Sequence, residues 1–210
     1  MVGFETVEAE LLSLEKYSAR ALANMLTEEA ALNFDSCDTR AQRALLLAEI
    51  PLVELSLKNG AASEFDSHMH ALEVRTQQIL RCAPRDAFAW LVAFNLRIIH
   101  GQLDDRTFQF LDMSFDNSPN EAWIAIRRSL AAMPFADRAP SIIRVKVAID
   151  FGLLIRNGYF EEAARSYLAA SDPMRATLTI ELEKTTQVQQ KRMLYALENL
   201  PQSNRSPRTN

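Results

Sequence analysis

Three segments each join an apolar helical run to a second run through one glycine, and this plan constrains the chain more than any other feature. They are LVELSLKNG–AASEFDSHMHALEVRTQQIL about Gly60, DAFAWLVAFNLRIIHG–QLDDRTFQFLDMSF about Gly101, and SIIRVKVAIDFGLLIRNG–YFEEAARSYLAA about Gly158. Glycine just past a helix end accepts the left-handed conformation that closes the last turn. A connection of only a few residues then makes the two helices antiparallel neighbours. The expected fold is all-α, built from stacked antiparallel helical hairpins. Only 5 glycines and 8 prolines in 210 residues argue the same way, because an all-β chain needs many tight turns.

The rest of the chain is also read at helical period. Val7, Leu11, Leu14, Ala21 and Met25 share one face, so residues 5–27 are expected as a first helix. Asn33 to Asp38 is a polar break, after which Thr39 can cap a helix burying Ala41, Ala44, Leu45, Ile50, Leu52 and Leu55. Pro51 removes a backbone donor inside that helix, so a kink or break is expected there. Between Ile143 and Ile149 apolar and basic residues alternate as in a half-buried strand. Ile142, Val145, Ile149 and Leu153 fit a helix as well, and no second strand candidate exists to pair with the first, so helix is preferred. Residues 1–200 are expected as one helical-repeat domain. In it, 5–33 caps the array or mediates a dimer, 38–173 forms hairpins and 174–200 forms C-terminal helices. The last ten residues, 201–210, are expected as a disordered tail.

A hydrophobic fraction of 48% with 24% charged residues excludes an intrinsically disordered chain. Net charge is -4 and pI about 5.5, so nothing overall draws the chain to nucleic acid. The charge is uneven: residues 1–75 carry a net -7 and residues 76–210 a net +3. Glu5, Glu8, Glu10 and Glu15 interrupt the first apolar stretch, unlike the unbroken core of a secretory signal. No run approaches the roughly 18 apolar residues of a spanning helix. A cytoplasmic address without direct membrane insertion is expected, peripheral to the inner membrane only through a partner.

Pro84, Asp86 and Trp90 are echoed by Pro119, Asn120 and Trp123, offset by 33 to 35 residues. In NGYFEEAARSYLAA, Gly158 sits at a turn, and Ala163, Tyr167 and Ala170 follow a small–aromatic–small order. These features resemble the tetratricopeptide repeat, whose period is 34. The resemblance covers roughly residues 84–173. It departs from the family pattern at Ala93, Phe94 and Arg97, and again at Pro134, which comes before any turn glycine. CAPRDAFAW followed by SPNEAWIAIRRSLAA is also similar to small bacterial repeat-like proteins that accompany envelope-polysaccharide genes.

Recognisable chemistry is sparse. His68 and His70 point about 200° apart on a helix and cannot chelate one ion together. Asp66, His70 and Glu73 share a face, but a solvated charged face explains them better than a metal site. His100 beside Gly101 suits a helix C-terminus. Two cysteines exclude a disulfide-dense scaffold, and Cys37 and Cys82 read as small buried or incidental thiols. No phosphate loop or nucleophile elbow is present. Arg97, Arg127, Arg128, Arg144 and Lys146 could form a basic patch, although pairing with nearby acids is the preferred account. Phe88, Trp90, Phe94, Phe108, Phe110 and Phe115 are expected in the core.

The expected function is therefore a non-enzymatic interaction module without a cofactor, metal or catalytic residue. The repeat resemblance implies a concave surface that holds a partner peptide or helix. It places Phe88, Leu91 and Asn95, then Glu121, Ile124 and Arg128, then Val145 and Arg156 on that surface. Two alternatives stay open: an accessory subunit of envelope-polysaccharide assembly, and an all-helical enzyme whose site converges only in three dimensions. A homodimer is a further option for the first helix.

Overall fold

The computed structural model describes residues 18–29 and 37–200. Among these residues it is helical throughout and has no strands. The expected first helix lies mostly outside the described residues, as do the tail and the polar break up to residue 36. Contacts among the described residues group into two compact units, divided between Gln102 and Leu103. The boundary falls just after Gly101, inside the second of the three glycine-hinged segments.

In the first unit, α1 (Ala19–Glu29) lies on α2 (Thr39–Asn59), and α2 pairs with α3 (Ala62–Cys82), which in turn packs on α4 (Ala87–Ile99). Asp38 rather than Thr39 caps α2, accepting from the Ala41 amide at 3.1 Å. Gly60 closes α2 in the left-handed region at φ 68°, and the Ala61 amide donates to the Ser56 carbonyl at 2.9 Å. A β-carbon is costly at that angle, which is why the turn needs glycine. Gly101 and Gly158 take the same conformation.

Pro51 does not break α2, which is continuous for 21 residues. The proline itself is exposed, so its ring packs against no neighbouring helix, and the bond it forfeits is the one to the Leu47 carbonyl. Its neighbours Leu47, Leu52 and Val53 are buried and hold the helix in place. Leu45, Leu46, Leu72, Ile79, Phe88, Leu91 and Phe94 complete the core of this unit. Asp86 caps α4 through the Ala89 amide at 2.9 Å and also binds Arg43 of α2 at 2.6 Å, which fixes the start of α4 against α2.

The second unit contains α5 (Asp105–Asn117), α6 (Ala122–Ala132), a 3-10 turn (Met133–Arg138), α7 (Ser141–Arg156), α8 (Phe160–Ala169), α9 (Asp172–Glu183) and α10 (Gln187–Asn199). Packing runs α5–α7–α9 along one row and α6–α8–α10 along another, and α7 also touches α6 and α8. The stretch that alternates like a strand is helical α7. Its Ile143, Val147, Phe151, Leu154 and Ile155 are buried, each contributing about 2 kcal/mol by leaving water. Asp104 and Thr107 form a reciprocal cap at the start of α5, as Thr186 and Gln189 do for α10. The two tryptophans that echo each other in sequence differ in their contacts. Trp90 donates to the Pro84 carbonyl at 2.8 Å, whereas Trp123 donates to the Glu121 carboxylate at 2.8 Å.

Candidate functional site

α7 is the middle helix of its row, and its two long faces have opposite characters. One face is core. On the other, Ile142, Val145 and Ile149 stand 59%, 52% and 48% exposed, at the i, i+3, i+7 spacing of a single helical stripe. Exposed Arg156 continues the stripe toward the C-terminus. Beside it, Lys146 reaches across to Asp112 and Asp116 of α5, and these carboxylates raise its pKa although burial opposes them. On the α9 side, Lys184 pairs with Glu181. The flanking lysines are therefore neutralised in place, whereas Arg156 has no carboxylate within ion-pair distance among the described residues. The helix thus presents an apolar ridge, with Arg156 at its C-terminal end folding back beside Gly152 near the Glu181 carboxylate.

The partner-binding residues implied by the repeat resemblance divide sharply. Val145 and Arg156 lie on this exposed stripe, and Glu121 is exposed at the start of α6. Asn95 is half-buried in the first unit. Phe88, Leu91, Ile124 and Arg128 are buried, so they support the core and do not present a binding face. The three apolar residues were assigned by repeat register, but each falls on the side of its helix that meets its neighbours.

Arg128 is the most instructive of these corrections. Its side chain is 0% exposed, and that of Asp150 is 2% exposed. Nε donates to Asp150 Oδ2 at 2.8 Å and Nη2 to Oδ1 at 3.0 Å, a bidentate pair between α6 and α7. Nη1 donates to the carbonyls of Ser114 and Ser118 at 2.9 Å each. Those carbonyls belong to the end of α5, where a helix leaves its last acceptors unsatisfied. The guanidinium also lies 4.5 Å from the centre of the Phe115 ring. One side chain thus caps α5, stacks on it and pairs with α7. Burial pushes the Asp150 carboxyl above its ordinary value, and the Arg128 hydrogen bonds and charge only partly offset that.

Three residues of the expected basic patch are engaged locally within the second unit. Arg128 is internal, Lys146 is paired, and Arg127 stacks over Trp123 at 5.5 Å while donating to its carbonyl at 3.1 Å. Burial lowers the Arg127 pKa. Arg97 belongs to the other unit.

Two of the three histidines each pair with one carboxylate. His68 Nδ1 lies 2.6 Å from buried Glu49, and His100 Nε2 lies 2.6 Å from partly exposed Glu73. His70 is exposed. No group of three or more candidate metal ligands forms among the described residues. A groove of about 690 Å³ opens between α8 and α10, lined by Phe160, Arg165, Arg192 and Tyr195 among others, and none of the histidines lines it. Arg192 lies over the Phe160 ring and Arg165 pairs with Glu161. None of the groove's titratable groups is buried.

Sequence reasoning missed the cysteines altogether. Cys37 and Cys82 are joined by a disulfide in the first unit, with Cα atoms 5.4 Å apart. Cys37 is exposed, so neither a buried residue nor a free thiol describes it. A signal was present: Cys37 lies 23 residues before Gly60 and Cys82 22 residues after it. In a helical hairpin, positions equidistant from the turn come back together.

No known protein family, curated protein or solved structure matches this chain. The fold defines the class as all-α. Among the described residues, no helix is long and apolar enough to cross a membrane.

Proposed function

We propose that this chain is a non-enzymatic interaction module and that the α7 ridge seats a helix of a protein partner. The supporting observation is the stripe Ile142–Val145–Ile149, left about half exposed on the central helix of a row and ending at Arg156. Water contact over three large aliphatic side chains on one stripe is unfavourable by roughly 25 cal/mol per Å², so covering them favours association. A partner helix with its own i, i+3, i+7 apolar stripe fits the ridge. A carboxylate near one end of that helix complements Arg156. The ridge-and-cation arrangement keeps the general idea of a repeat-type binding face while moving its centre to α7.

The test is a photo-cross-linking residue placed at Val145 in the native cell, with a second placed at exposed Thr177 on α9 as a comparison. Support requires a discrete adduct from position 145 that disappears in the Ile142→Asn/Ile149→Asn variant, while circular dichroism shows the fold unchanged. An adduct containing two copies of this chain, or an adduct that survives the double substitution, would overturn the assignment of the ridge to a different protein. Absence of any adduct from position 145 would overturn the ridge as a docking face.

A further inference from the structure

We infer that the Cys37–Cys82 disulfide is a structural staple made in the living cell, and that this protein works in an oxidising compartment and not in the cytoplasm. The inference rests on the first unit alone and is independent of the α7 ridge.

The α2–α3 hairpin is closed at one end by the Gly60 turn. At its other end the chain enters α2 from the turn holding Cys37 and leaves α3 at Cys82. Packing that involves no sulfur brings these ends together: Leu45, Leu46 and Leu52 of α2 and Leu72 and Ile79 of α3 are buried. The resulting Cα separation of 5.4 Å lies in the middle of the range a disulfide spans. The disulfide thus joins two ends of a hairpin that is also packed along its length by apolar side chains. With only two cysteines in the sequence, the chain has one intramolecular pairing and no competing one.

The surroundings give the bond structural weight. α4 begins five residues after Cys82, and its capping Asp86 is held by Arg43. A covalent link at Cys82 thus secures the end of α3 next to the point where α4 is anchored. The link closes 45 residues, and cross-links over long loops restrict the unfolded chain most. Cys37 is exposed, so the bond is open to exchange with small thiols. A glutathione-rich cytoplasm would tend to reduce an accessible bond of this kind, whereas an oxidising compartment retains it. In forming it, the two thiols lose two protons and two electrons to the disulfide of a thiol oxidant. One S–S bond forms in the protein, and the oxidant is released as two thiols.

Two measurements test the inference. Cells that naturally express the protein are quenched in acid and treated with a maleimide–polyethylene glycol reagent before and after reduction. The expected result is no mass shift before reduction and a two-tag shift after it. Labelling of both cysteines before reduction would overturn the oxidising address. Separately, the purified full chain is melted with and without a dithiol or phosphine reductant, beside the Cys37→Ser/Cys82→Ser variant. The expected melting temperature falls by about 10 °C on reduction, and the variant melts at the reduced value with no further response to reductant. A reduced protein that melts within about 2 °C of the oxidised one would overturn the staple, wherever the protein resides.

Discussion

Replacing Arg128 by methionine is the most decisive perturbation this structure offers. The substitution keeps an unbranched side chain of similar length and removes the guanidinium. Four hydrogen bonds go with it: two to Asp150 and one each to the carbonyls of Ser114 and Ser118. Asp150 is left 2% exposed with no counter-charge, and the end of α5 loses its cap. Breaking a buried ion pair from one side costs about 3–5 kcal/mol, chiefly the penalty of the stranded charge. Urea titration followed by circular dichroism at pH 7 should show that loss in ΔG with the slope m unchanged. Pairing Arg128→Met with Asp150→Leu removes both charges together and should recover more than half of the loss, because an apolar pair of suitable volume can stand in for a buried salt bridge. If Arg128→Met stays within about 1 kcal/mol of the parent and only partner binding suffers, the guanidinium faces a ligand and the buried-cap reading is wrong.

Three other outcomes are expected. Asp86→Ala removes both the α4 cap and the Arg43 partner, and should cost about 1–3 kcal/mol by urea titration. Gly152→Ala should be neutral or raise stability by up to about 1 kcal/mol in the same assay, since its Cβ would meet only the flexible end of Arg156 at 3.0 Å and the Glu181 carboxylate at 3.5 Å within a helix. The Asp150 carboxyl is held above its ordinary 3.8, so the folded state binds this proton more tightly than the unfolded state. Its contribution to stability should therefore decline as pH rises from 3.8 through the folded value, and Asp150→Asn should lack that decline. Urea midpoints measured between pH 3.5 and 7 would expose the difference.

The helices and turns were legible because their signals are local. Gly60, Gly101 and Gly158 mark helix ends through a backbone property that no other residue shares as cheaply. α7 was ambiguous by alternation alone and was resolved by the lack of any strand to pair with it. The cap of α2 was placed one residue late, at Thr39, because Asp38 and Thr39 are both good capping residues. Exposure of the residues assigned by the repeat resemblance was legible only in part. Val145 and Arg156 are exposed as implied, but Phe88, Leu91 and Ile124 are core. Repeat register places residues on a helix without saying which neighbours will cover them. Arg128 reads as a surface cation because nothing nearby in sequence announces Asp150, 22 residues away, or the bare carbonyls ending α5. The disulfide required counting outward from a turn, a measurement of distance that motif spacing does not supply.

The three-helix origin of the Arg128 bonds also orders events during synthesis. The carbonyls of Ser114 and Ser118 leave the ribosome first, the guanidinium next and the Asp150 carboxylate last. Domains generally fold as units as the chain emerges. Here the cation cannot be sequestered without a large desolvation cost until its anion has followed it out. Burial of Arg128 therefore waits for residue 150, and the core face of α7 waits longer still, for α8 and α9, which follow it in the chain and cover it.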